Sequence, residues 1–124
     1  MDTFSPGRDS YRAGPPEDES DSERRTVIVE LRTVEPLVRR LSHGVFNDNA
    51  GPGSARRRVI DILSGFRADA PLPPIQLDRL PPGSPYQFRI YNGAHRFYCS
   101  MAVGFTRIPA VVYEFEEWIR RAGG

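Results

Sequence analysis

Apolar residues recur with a regular period only after Arg25. Val27, Val29 and Leu31 alternate with Ile28 and Glu30, which predicts a strand starting near Thr26. The period then lengthens. Val34, Leu37, Val38 and Leu41 stand at i, i+3, i+4 and i+7, one stripe of a helix that Thr33 can cap and Gly44 can stop. A turn-rich stretch over residues 44–53 leads to a second helical stripe of Val59, Ile60, Leu63 and Phe66, with Ser54 as its cap. Prolines end that helix, residues 75–78 read as a short strand, and LPPGSP over residues 80–85 is a turn. Phe88 and Ile90 alternate with Gln87, Arg89 and Tyr91 in the following strand. Beyond Asn92-Gly93, a helical stripe of Ala94, Phe97, Tyr98, Met101 and Ala102 runs to Gly104. Residues 108–114 are rich in β-branched and aromatic side chains, as strands are, and residues 115–121 predict a last short helix. The order β-α-α-β-β-α-β-α predicts a small single α/β (α+β) domain and excludes a helix bundle or a sandwich.

Residues 1–25 are different in kind. They hold four Arg against seven acids, with Pro6, Gly7, Gly14, Pro15 and Pro16 and the polar run EDESDSE, and predict a disordered acidic tail. The remaining residues, 26–124, form the predicted domain and carry 13 Arg against nine acids. This excess is modest for a nucleic-acid binder, so nucleic acid is a weak candidate partner. The lone Cys99 excludes a disulfide framework and a cysteine-based zinc cluster, and fits a reducing cytoplasm. The chain has no apolar run long enough to span a membrane. All 17 basic residues are Arg; coding bias accounts for this, and phosphate recognition cannot rest on composition alone.

The chemistry concentrates at YNGAHR, residues 91–96, where a strand gives way to a helix. The first N–H groups of a helix lack internal partners and carry its positive end, which attracts phosphate. Gly93 accepts positive φ and lets a ligand approach the backbone. His95 and Arg96 lie off the predicted apolar stripe, about 100° and 200° around from Ala94, so both are expected to face a ligand. Arg96 offers a planar fork of donors, and His95 can exchange a proton near neutral pH. The competing reading is structural: His95 caps local carbonyls, and Arg96 pairs with an acid such as Asp78 or Glu114.

The segment FRIYNGAHRFYCSMAVGFTRIPAVVYE resembles the core of the ParB/sulfiredoxin superfamily, through Gly93, His95, Arg96, Gly104, Ile108 and Pro109. Among its members, short N-G-x-H-R-F proteins such as plasmid fertility inhibition factors look most similar, which implies a bacterial protein. The resemblance implies a mixed sheet flanked by helices, and a nucleotide phosphate at His95-Arg96. Departures limit what else it implies. Ala94 stands where sulfiredoxin carries its nucleophilic cysteine, so sulfinic-acid reduction is not expected. Ala94 and His95 replace the first two residues of the Glu-Arg-Arg of CTP-hydrolysing ParB proteins.

A second basic feature is Arg56-Arg57-Arg58, which crowds the start of the second helix against its dipole. A phosphate ligand would relieve that crowding, and solvent screening would also suffice. The expected phosphate-binding set is therefore Asn92, Gly93, Ala94, His95, Arg96, Arg56 and Arg57, with His95 and Arg96 as the candidate catalytic pair. Its ligand would be ATP or another nucleoside triphosphate, hydrolysed or merely bound, or a phosphodiester cleaved by a nuclease. The need for Mg2+ is left open, because Asp48 and Asp78 are lone carboxylates and predict no metal site. His43 and the acids Glu114, Glu116 and Glu117 read as structural or solvated. The alternative function is a protein-binding module without chemistry, gripping its partner through the acidic tail or the aromatic segment Tyr113, Phe115 and Trp118.

Overall fold

A computed structural model describes residues 9–36 and 55–123. The predicted helix cap at Ser54, the loop over residues 44–53, His43 and Asp48 lie outside the described residues. Five strands form one mixed sheet: β1 (Val27–Glu30), β2 (Val34–Glu35), β3 (Ile75–Arg79), β4 (Phe88–Asn92) and β5 (Arg107–Tyr113). Their order across the sheet is β1-β5-β3-β4-β2. The β1/β5 and β3/β4 pairs are antiparallel, and β3/β5 and β2/β4 are parallel. Among the described residues, three α-helices accompany the sheet: α1 (Ala55–Ala68), α2 (Ala94–Ala102) and α3 (Phe115–Gly123).

The central strand β3 dictates much of the packing. Ile75, Gln76, Leu77 and Asp78 are all buried, so both faces of the sheet are covered here. Ile75 and Leu77 join Phe97, Ile108, Ala110, Ile90 and Phe66 in the apolar core. By strand alternation, Gln76 and Asp78 face the other way, where buried polar groups need partners. They have them. Gln76 Nε2 donates to Asp21 Oδ2 and to Tyr113 Oη, each at 2.9 Å, and Arg121 Nη2 lies 2.7 Å from Asp78 Oδ1.

Those partners come from the end of β5, from α3 and from a single 3-10 turn, Glu19–Asp21, within the segment expected to be a disordered tail. Residues 9–25 are packed against the domain. Tyr11 is buried, stacks on Phe66 at 5.4 Å between ring centroids, and donates its hydroxyl to Pro73 O at 2.5 Å. Ala13 bridges Leu72, with Gly14 N donating to Leu72 O at 2.8 Å. Asp21, 1% exposed, accepts both from Gln76 and from the Tyr113 hydroxyl at 2.7 Å, and Arg24 Nε lies 3.2 Å away. Within residues 9–25, two residues, Tyr11 and Asp21, outweigh the polar composition around them. Neither belongs to a periodic pattern. Burial holds the Tyr113 phenol above its ordinary pKa, so it stays a donor to Asp21.

Two further expectations are corrected. Val34 and Glu35, assigned to a helix, instead pair as a short parallel strand with Phe88 and Arg89 of β4; the predicted helix from Leu37 onward lies outside the described residues. In α1, Val59, Leu63 and Phe66 face the core as expected, but Ile60 is exposed and Ile62 takes its place. The fold class stands as read: a small single α/β domain built on a mixed sheet.

Helix α3 carries its own explanation. Glu116 and Glu117 occupy its first turn and Arg120 and Arg121 its last, each favourable to the helix dipole. Glu117 Oε2 also accepts from Glu114 N at 3.0 Å, the return half of a capping box.

Candidate functional site

Strand β4 ends at Asn92, and Gly93 forms the entrance to α2 with φ 111°. No side chain caps this helix and no acid lies in its first turn, so its positive end is not neutralised from within the helix. Gly93 is required here for space as well as for its backbone angle. A Cβ there would stand 2.6 Å from Ile75 Cγ2 and 3.1 Å from Arg96 Nη2. Just before it, the β3/β4 register shifts so that Gln76 faces Asn92 while Leu77 faces Ile90, leaving Tyr91 as an extra residue. Such bulges re-aim side chains near sites. Tyr91 turns its edge to Tyr113 at 5.9 Å, and the Arg121 guanidinium lies 3.7 Å over its ring.

A groove of about 590 Å³ opens at this turn. Asn92, Gly93, Ala94, His95 and Arg96 all line it, so the structure brings together the whole predicted turn. The arginines of α1 contribute differently from expectation. Arg58 lines the groove together with Asp61, whereas Arg56 and Arg57 do not; Arg57 Nε instead lies 3.3 Å from Asp61 Oδ1 one turn along.

Arg96 is the main surprise. The reading that it lies outside the buried stripe is wrong: α2 buries Arg96, Phe97, Cys99 and Ser100, while Met101 and Ala102 are exposed. The buried face is therefore rotated relative to the purely apolar stripe. Arg96 Nη1 donates to Pro73 O at 3.0 Å and Nη2 to Glu17 Oε1 at 2.5 Å. Its partner is neither Asp78 nor Glu114. Asp78 is held by Arg121, and Glu114 lies 2.8 Å from Arg79 Nε. The Arg96 side chain is 11% exposed and that of Glu17 is 43% exposed. The guanidinium is thus fixed in the wall and the carboxylate stands at the mouth. His95 lies beside them, half-buried.

Sequence reasoning missed Glu17 and Asp61, and it named Arg58 in the basic cluster without placing it in the expected phosphate-binding set. Glu17 was hidden by the acidic composition around it. Within residues 9–25 the local hint of order is Tyr11, an aromatic residue in a largely polar stretch. Cys99 is buried, burial pushes its thiol up to about 11, and it does not line this groove. Among the described residues, no group of three or more His, Cys, Asp and Glu is placed to hold a metal ion, and no helix is long and apolar enough to cross a membrane.

No family model matches the chain, and no curated protein matches it. Solved structures do. Sulfiredoxin from Arabidopsis thaliana superposes with a TM-score of 0.54 at 15% identity, covering 81% of this chain and 98% of that one. A conserved hypothetical protein from Pyrococcus furiosus gives 0.51 at 20% identity, over 82% of this chain and 35% of that one. A mutant free serine kinase in complex with AMP gives 0.51 at 18% identity, over 84% of this chain and 35% of that one. The chain therefore spans nearly all of the sulfiredoxin and about a third of the other two. It has the sulfiredoxin-like fold.

Proposed function

We propose that the groove at the β4–α2 turn binds a phosphate group, most simply that of a nucleotide. One observation carries this reading: an oxyanion already sits there, the Glu17 carboxylate on Arg96 Nη2, beside a helix start that no side chain caps. A site that holds a carboxylate on one guanidinium nitrogen and faces a helix N-terminus has the kind of donors that phosphate needs. Arg58 adds a second cation to the lining, and His95 and Asn92 add side-chain polar groups. AMP bound to a free serine kinase of the same fold supports a nucleotide as the ligand.

Binding comes before turnover in this proposal. Hydrolysis of ATP or another triphosphate, or cleavage of a phosphodiester, would use Arg96 to steady charge on the phosphate and His95 to move a proton. Sulfinic-acid reduction is not proposed, since Ala94 stands where the resemblance places the cysteine. Isothermal titration with ATP, CTP, GTP and AMP, with and without Mg2+, tests the reading. Saturable heat that His95→Ala weakens supports it, and no heat with any nucleotide refutes it.

A second reading, a protein-binding module, is favoured by Phe115 and Ile119, exposed one turn apart on α3. The acidic segment is a poorer handle than expected, because residues 9–25 are packed on the domain. Replacing Phe115 and Ile119 together by Ser would abolish partner capture in this reading and leave nucleotide titrations unchanged.

A further inference from the structure

We infer that Glu17 is an internal occupant of the phosphate site, a carboxylate that a ligand must displace from Arg96 in order to bind. This deepens the phosphate-binding reading and rests on it. The asymmetry of the pair sets which partner yields. Arg96 is almost enclosed and also holds Pro73 O, whereas nearly half of the Glu17 side chain meets solvent. An incoming anion therefore meets Glu17 first, and the guanidinium stays where it is.

The backbone around Glu17 allows this exchange without unpacking the segment. On one side Gly14 N is bonded to Leu72 O, and on the other Asp21 is bonded to Gln76 and Tyr113. Between them, Pro15 and Pro16 have no N–H groups to leave unpaired. Rotation of one side chain opens the site. The charge of the lining changes with it. Arg58 and Arg96 balance Glu17 and Asp61 while Glu17 is in place, and cations prevail once it swings away.

Displacement also narrows the ligand class. A monoanion such as a phosphodiester or a carboxylate exchanges one negative charge for another, and still bears the entropy cost of association. A terminal phosphate brings about −1.5 to −2 charge near pH 7 and three acceptor oxygens. The site therefore selects phosphomonoesters and the ends of polyphosphates.

The test is isothermal titration of the full chain with AMP and with cyclic AMP, which differ in having a terminal or a bridging phosphate. Wild type, Glu17→Gln, Glu17→Ala and Asp61→Asn are compared, with thermal unfolding checking that each is folded. The expected result is about tenfold tighter AMP binding in both Glu17 variants, with less than about threefold change in Asp61→Asn, and wild type favouring AMP over cyclic AMP by about tenfold or more. If wild type binds AMP and the Glu17 variants bind it no tighter, or if Asp61→Asn gains as much, the internal-occupant inference falls while phosphate binding stands. Equal affinity of wild type for both nucleotides overturns the narrowing of ligand class. If neither wild type nor any variant binds either nucleotide, the phosphate-binding reading itself is refuted.

Discussion

Gly93→Ala separates backbone strain from steric exclusion at the entrance to α2. At φ 111° a residue with a Cβ is strained, which costs about 1–2 kcal/mol. The new Cβ would also stand 2.7 Å from Ile75 Cβ and 2.6 Å from Ile75 Cγ2, in the middle of the core strand. Ile75 is fully buried and its Cβ is tied to the backbone, so it cannot swing aside. Overpacking of this kind costs about 1–3 kcal/mol, which brings the whole to about 2–5 kcal/mol. Gly83 supplies the control, because it has φ 91° and nothing within 4 Å of its missing Cβ. Gly83→Ala bears the strain alone, offset by about 0.4–1 kcal/mol from a stiffer unfolded chain. Urea denaturation followed by circular dichroism should place Gly93→Ala about 1–3 kcal/mol below Gly83→Ala, with Tm lower by about 4–8 °C for each kcal/mol. Equal stability of the two variants would refute the account of Gly93 as a residue locked between Ile75 and Arg96.

Further outcomes test the segment before β1 and the buried polar groups. Tyr11→Ala should cost about 3–5 kcal/mol by urea denaturation, as for a large buried aromatic, and removal of residues 1–25 should cost at least as much; a disordered tail would cost nothing. Asp21→Ala should destabilise by about 3–5 kcal/mol, because it strips a buried acceptor from Gln76, Tyr113 and Arg24. The hydrogen bond from Arg24 holds the Glu117 carboxyl below its ordinary pKa. Its contribution is therefore present above the unfolded-state pKa and is lost as pH falls through the lower folded value. Glu117→Gln should flatten the acid limb of the stability profile, by a small amount since the group is partly exposed. With its thiol at about 11, Cys99 is about one part in a thousand thiolate at pH 8, so iodoacetamide should label it only after unfolding.

Most elements were legible because local periodicity decided them. The alternation around Phe88 and Ile90, the β-branched run through Val112 and the helix after Gly93 all form as the pattern predicts. What local pattern cannot carry is pairing over distance. Val34 and Glu35 become a strand only because Phe88 and Arg89 lie alongside them, more than fifty residues on. The face of α2 was misread for a related reason. Hydrophobicity selects Met101 and Ala102 as buried, yet Arg96 is buried instead because Glu17, 79 residues upstream, meets its charge. The turn that gathers the site was visible in YNGAHR, whereas the carboxylate occupying it was not.

Backbone and arginine side-chain NMR of the 15N-labelled chain during titration with AMP tests the central claim most directly. The account predicts saturable shifts of the Gly93, Ala94, His95 and Arg96 amides, together with the Arg96 Nε signal. Shifts confined to other surfaces, or no shift at saturating AMP, would contradict it.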